Sequence, residues 1–137
     1  MLARHGLRRN VRGFTLIELM VVVIIVAVLL TIALPAFQNQ VRRSNRAAAQ
    51  AEMMAIANLQ QQYLLSNRSY MDKTTLEATG YVLDPDVDRN YDYTITVNLA
   101  TVPTYDIQFT ATGSQAADGN LTLDEQGVGT PAGKWDR

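Results

Sequence analysis

The sequence predicts an α+β architecture: a long N-terminal helix whose second half lies across an antiparallel sheet. Three observations carry that expectation. Residues 19–30 form an unbroken apolar run, which Ile32, Ala33 and Leu34 extend. Residues 36 to about 65 contain neither glycine nor proline. Apolar and polar residues alternate strictly over 91–99 and again over 105–111. The chain has 137 residues, 47% hydrophobic and 18% charged, enough for one packed domain and too apolar for general disorder.

The first 13 residues are short, polar and basic, with Arg4, Arg8, Arg9 and Arg12 and no acid. As an α-helix, residues 14–34 would be about 31 Å long, enough for the hydrocarbon core of a bilayer. Apolar residues occupy all sides of this segment, so it is not an amphipathic surface helix. The arginines before it predict a cytoplasmic N-terminus. Arg42, Arg43 and Arg46 weaken that asymmetry, although they lie beyond Pro35 and outside the apolar core.

A secretory signal would require small residues after the run, and Leu34-Pro35-Ala36-Phe37 makes a poor cleavage site. A plain anchor has no use for Glu18, since a carboxylate costs roughly 2.5–3.5 kcal/mol near a bilayer centre and less near its edge. Glu18 is therefore a functional candidate. Pro35 lacks a backbone donor and disfavours helix at Leu34. It predicts a kink in a continuous helix, or simply the end of the membrane span.

Beyond Pro35, Ala49, Met53, Ile56, Gln60 and Tyr63 recur every three or four residues and define a face that should pack on a sheet. Residues 66–90 read as irregular, with a turn of helix over 74–78. The run Asp84-Pro85-Asp86-Val87-Asp88 has the alternate acids of a calcium loop. However, Arg89 stands where the glycine is needed and Ile95 where the bidentate glutamate is needed, so the run reads as a solvated acidic loop. Strands follow over 91–99, 105–111 and 121–123. Tyr93, Ile95, Val97, Ile107, Phe109, Leu121 and Leu123 should meet the helix.

Composition excludes most chemistry. There is no cysteine, hence no disulfide and no thiolate metal site. The one histidine is His5, in the basic N-terminal segment. Removing that segment would leave no imidazole for nucleophilic or metal chemistry. The carboxylates are scattered over loops with no evident buried pair, so no enzyme, cofactor or metal is expected. Without the first 13 residues, eight basic side chains face thirteen acidic ones, a net of −5, which disfavours nucleic acid.

The string Gly13-Phe14-Thr15-Leu16-Ile17-Glu18, followed by the apolar helix and Pro35, resembles the prepilin signature of type IV pilins and pseudopilins. The resemblance implies a pilin fold. It also implies a leader over 1–13 removed by a prepilin peptidase between Gly13 and Phe14, and methylation of the new Phe14 amine. The helix over 14–35 is kept for the membrane and the filament core, with a head over 36–137. On a helix starting at Phe14, Glu18 shares a face with the N-terminal amine. It could neutralise that amine in its own chain, or, as in the family, meet the amine of a neighbouring subunit and set register. Pro35 resembles the proline of a segment that melts during polymerisation. The implied partners are other pilin subunits in a homo- or hetero-polymer, the prepilin peptidase and an inner-membrane assembly platform. The implied location is the inner membrane before assembly and an extracellular fibre afterwards.

The tail resembles the end of PilE-like subunits, in which two cysteines close a loop called the D-region. In this chain Asp118 and Lys134 stand near those positions, within a loop over 118–137 that follows a three- to four-stranded sheet over 91–124. A disulfide over about 15 residues contributes about 3 kcal/mol. An exposed ion pair contributes about 0–1 kcal/mol. Two unrelated surface charges are the reading the residues favour; an Asp118–Lys134 ion pair that partly replaces the bridge, with burial of Trp135 supplying the difference, is the other.

The implied function is a structural subunit of a type IV pilus, with a weak hint of a minor one. The alternatives are a type II secretion pseudopilin and, less favoured, a DNA-binding competence pilin. A filament would hide the cluster of Arg42, Arg43 and Arg46. The other head arginines, Arg68, Arg89 and Arg137, are dispersed.

Overall fold

A computed structural model describes residues 13–135. Residues 1–12, with the leader's arginines and His5, and residues 136–137, with Arg137, lie outside the described residues. Helix α1 (Leu16–Asn67) is followed by short helices α2 (Lys73–Ala78) and α3 (Pro85–Asp88). Strands β1 (Tyr91–Asn98) and β2 (Thr104–Ala111) come next, then a 3-10 turn over Gly113–Asp118. Strands β3 (Leu121–Asp124) and β4 (Gly129–Thr130) and a last helical turn α4 (Ala132–Trp135) complete the chain. The order is that of an α+β pilin-like fold with a four-stranded sheet. Two compact units are distinguished, Met1–Gln38 and Asn39–Arg137.

Every described residue of the first unit is exposed, from Phe14 at 80% through Ile24 at 59% to Leu34 at 54%. Helix α1 is long and apolar enough to cross a membrane. Leaving a large aliphatic side chain in water forgoes roughly 1.5–3 kcal/mol each. A helix with this many exposed apolar side chains is stable only against lipid or other protein. It runs unbroken through Pro35, whose missing N–H leaves the Thr31 carbonyl without its usual helical donor.

The second unit buries one face of α1. Ala49, Met53, Ile56 and Gln60 are fully buried, at the spacing of three and four that the sequence predicts, while Tyr63 is half-buried. Gln60 sits in an apolar core at no polar penalty: its amide accepts from the Met71 N–H at 2.7 Å and donates to the Met71 carbonyl at 2.6 Å. That exchange pins the chain after α1 back onto the helix.

The sheet is antiparallel throughout, in the order β1-β2-β3-β4. Ile95 faces Ile107, Ile107 faces Leu123 and Phe109 faces Leu121, so one pleat face is continuously apolar. Tyr91, Tyr93, Ile95, Tyr105, Ile107, Phe109, Leu121 and Leu123 are buried, while Val97 is only half-buried. Tyr91 and Tyr105 therefore join the expected set, and Val97 sits at its margin.

Residues 66–90 are more regular than the sequence suggests. Asp72 caps α2, accepting from the Thr75 N–H at 2.8 Å, and hydrogen bonding from the Thr75 side chain, then from its backbone, holds the Asp72 carboxyl below the usual range. The acidic run is a capped helical turn rather than an open loop. Asp84 accepts from the Asp86 N–H at 2.8 Å, and Pro85 occupies the first turn, where its missing donor costs nothing. Among the described residues no cluster of acids or histidines could hold a metal.

Candidate functional site

Two groups of residues stand apart from ordinary core packing. The first is at the start of α1. The helix begins at Leu16 rather than Phe14, because Thr15 caps it: the Glu18 N–H donates to Thr15 Oγ1 at 3.3 Å and the Leu19 N–H to the Thr15 carbonyl at 3.2 Å. In the chain with its leader, α1 therefore starts two residues after Phe14. Thr15-Leu16-Ile17-Glu18 has the spacing of a capping box, a signal present in the sequence. Gly13, Phe14, Thr15 and Glu18 line a shallow, open cleft. A Cβ at Gly13 would meet nothing within 4 Å, so the fold itself does not require glycine there.

The second group ties the C-terminal segment to α1. Among the described residues, no ion pair joins the Asp118 carboxylate to Lys134. The reason is competition. Arg46 reaches from α1 and pairs with Asp118 Oδ1 at 2.8 Å, with both side chains largely buried. The Lys134 ammonium donates instead to the Asp118 main-chain carbonyl. The Gln50 side chain, one helical turn after Arg46, donates to the Lys134 carbonyl at 2.9 Å. Trp135 donates from Nε1 to the Thr130 carbonyl at 3.3 Å and lies against Gly129. An added Cβ at Gly129 would fall 2.2 Å from the indole. Four polar contacts and one aromatic ring thus close this C-terminal segment onto α1.

The same face of α1 carries a second tie. Buried Gln115 donates to the Tyr91 hydroxyl at 2.9 Å and to the Arg42 carbonyl at 3.0 Å, and accepts from Asn45 at 3.2 Å. Arg42 donates to the Ser114 carbonyl at 3.1 Å. Burial pushes the Tyr91 phenol up, against the lowering effect of the Gln115 hydrogen bond. The basic cluster is therefore not uniform. Arg42 and Arg46 hold the head together, and Arg43 has no ion pair among the described residues. Arg46, Gln50 and Gln115 were not legible as site residues, because the contacts that join them across α1 span some 70 or more residues of sequence.

The chain matches the family described as "Type IV minor pilin ComP, DNA uptake sequence receptor" over residues 35–122. It matches the prokaryotic N-terminal methylation motif over residues 8–34. It is 34% identical over 70 residues to a fimbrial protein of Pseudomonas aeruginosa, covering 51% of this chain and 46% of that protein. It is 30% identical over 89 residues to type II secretion system core protein G of Dickeya chrysanthemi, covering 62% and 57%. Fimbrial protein EcpC of Eikenella corrodens is 51% identical over 43 residues, covering 31% and 28%. The chain spans about half the length of the first of these relatives.

Proposed function

We propose a function from the premise that this chain belongs to the family of the type IV minor pilin ComP, DNA uptake sequence receptor: it is a structural subunit of a type IV pilus. Subunits of this family assemble with other pilins and are not enzymes. The observation that carries the reading is the join of two features in one chain. A methylation motif opens a fully exposed apolar helix, and a self-sufficient head follows.

In this reading the prepilin peptidase cuts between Gly13 and Phe14 and methylates Phe14. The open cleft around Gly13 and Glu18 leaves the bond accessible to an enzyme. Cutting removes four arginines and frees an amine one residue ahead of the helix cap. Glu18, an acid in the first turn of an apolar helix, then pairs with the amine of a neighbouring subunit, since a charge taken into an apolar bundle needs a partner. Pro35 weakens the hydrogen-bond ladder where the helix opens on assembly. The subunit waits in the inner membrane with its N-terminus cytoplasmic, and an assembly platform extracts it into the fibre. Replacing Glu18→Val tests this: fibre incorporation should fall at least tenfold while the membrane pool stays processed and abundant. Undiminished incorporation would contradict it.

A second reading, DNA capture, is favoured by the family match itself. Reversing the charges of the exposed Arg68 and Arg89 should then lower DNA uptake without changing the fibre count, whereas unchanged uptake would remove that reading. A type II secretion pseudopilin is the remaining alternative, and the similarity to core protein G keeps it testable: the processed chain would then be confined to the inner-membrane fraction.

A further inference from the structure

We infer that the head carries two complementary lateral patches, so that the acidic α3 turn of one copy enters a basic, apolar-walled groove of the next. This rests on the pilus reading and specifies how heads touch. The strand order places the two surfaces on opposite edges of one sheet: α3 packs beside β1 and α4 beside β4. The groove, about 380 Å³, lies between α1 and α4. Ala47, Ala51, Met54 and Trp135 form its walls, and Arg43 and Lys134 charge it.

The charges do not cancel within the groove. Asp118 supplies one negative charge against Arg43, Arg46 and Lys134, leaving a surplus of two positive charges among the described residues. On the far edge, Asp84, Asp86 and Asp88 are all exposed, and Asp86 meets Arg89 only in a solvent-exposed pair. Such a pair is worth about 0–1 kcal/mol and exchanges readily for another partner.

A second copy fits this groove better than a nucleic acid does. A phosphate backbone asks for several free cations in a row. In this groove Arg46 is committed to Asp118, Lys134 donates to the Asp118 carbonyl, and the walls are alanine, methionine and tryptophan. A compact turn with aspartates at every second position matches that mixture of charge and apolar wall. Because the two patches sit on different edges, the contact is heterologous and propagates rather than closing into a pair.

The chain has no cysteine, so an engineered pair is an unambiguous reporter. In fibres sheared from cells and oxidised, Ala47→Cys combined with Asp88→Cys should give a ladder of covalent multimers, and neither single variant should. Arg43→Glu should lower the ladder about fivefold, the loss of one exposed ion pair. Combining it with Asp86→Arg should restore the ladder. The double-cysteine chain present in fibres without a ladder would overturn the inference and leave the pilus reading intact. Absence of the wild-type chain from fibres would overturn both. If Arg43→Glu instead leaves the ladder unchanged and abolishes retention of a 20-base-pair duplex, the groove belongs to nucleic acid and the inference fails.

Discussion

The helix over 16–38 and the head from Asn39 onward obey opposite rules. In the head, buried polar groups are mostly satisfied inside the chain: Gln60 by Met71, Gln115 by Tyr91 and Arg42, and Asp118 Oδ1 by Arg46. In the helix no side chain is buried at all. The head is a finished object, whereas the helix is half of an interface whose other half is lipid or another subunit. A function that depends on assembly should therefore be encoded in the exposed half, and the exposed half carries the methylation motif.

The largest effect that would sharpen this contrast is a pair of core-sized deletions. Phe109→Ala should destabilise the head by about 3–5 kcal/mol, because Phe109 is fully buried between Tyr91 and Tyr93. Val23→Ala should change the melting of the detergent-solubilised subunit by less than about 0.5 kcal/mol, because Val23 is 57% exposed. Equal losses at both sites, measured by thermal denaturation, would break the comparison.

The next effect probes the group that ties the C-terminal segment to α1. Arg46→Ala leaves a largely buried carboxylate at Asp118 without a counter-ion. It should cost about 1–3 kcal/mol, less than a fully buried pair because both groups keep some solvent. In a double-mutant cycle, Arg46 should couple to Asp118 and Lys134 should not, since Lys134 touches only the Asp118 main chain. Gly129→Ala should then dislodge Trp135 at a cost of about 1–3 kcal/mol. The chain has one tryptophan, so a red-shifted emission would report that displacement directly.

The smallest effect is absent at neutral pH. Burial, aided by Glu77, pushes the Tyr93 phenol to about 12, and burial pushes Tyr105 to about 12. The unfolded chain loses these protons near pH 10, before the folded head does. Their contribution is thus complete below pH 10 and is lost between pH 10 and about 12. Melting temperature should be level to pH 10 and fall above it, with tyrosinate absorbance appearing late. An early rise in that absorbance would contradict the burial of these rings.

Much of the head was legible because burial imposes a period. Ala49, Met53, Ile56 and Gln60 mark the helix face, and the alternation from Tyr91 to Asn98 marks a half-buried strand. The two-residue β4 and the turn α4 left no periodic trace, being too short for one. The capped turn at Asp84-Pro85 was written in the sequence and masked by its resemblance to a calcium loop. The ties of the C-terminal segment were not legible: the partner of the Asp118 carboxylate is Arg46 rather than Lys134, and Arg46 lies 72 residues earlier with nothing local to point to it.

The central claim is that the exposed helix exists to be processed and built into a fibre. Mass spectrometry of the N-terminal peptide from sheared surface fibres tests it most directly. The account predicts a peptide beginning at methylated Phe14. A chain found only in the membrane with residues 1–13 still attached would contradict it.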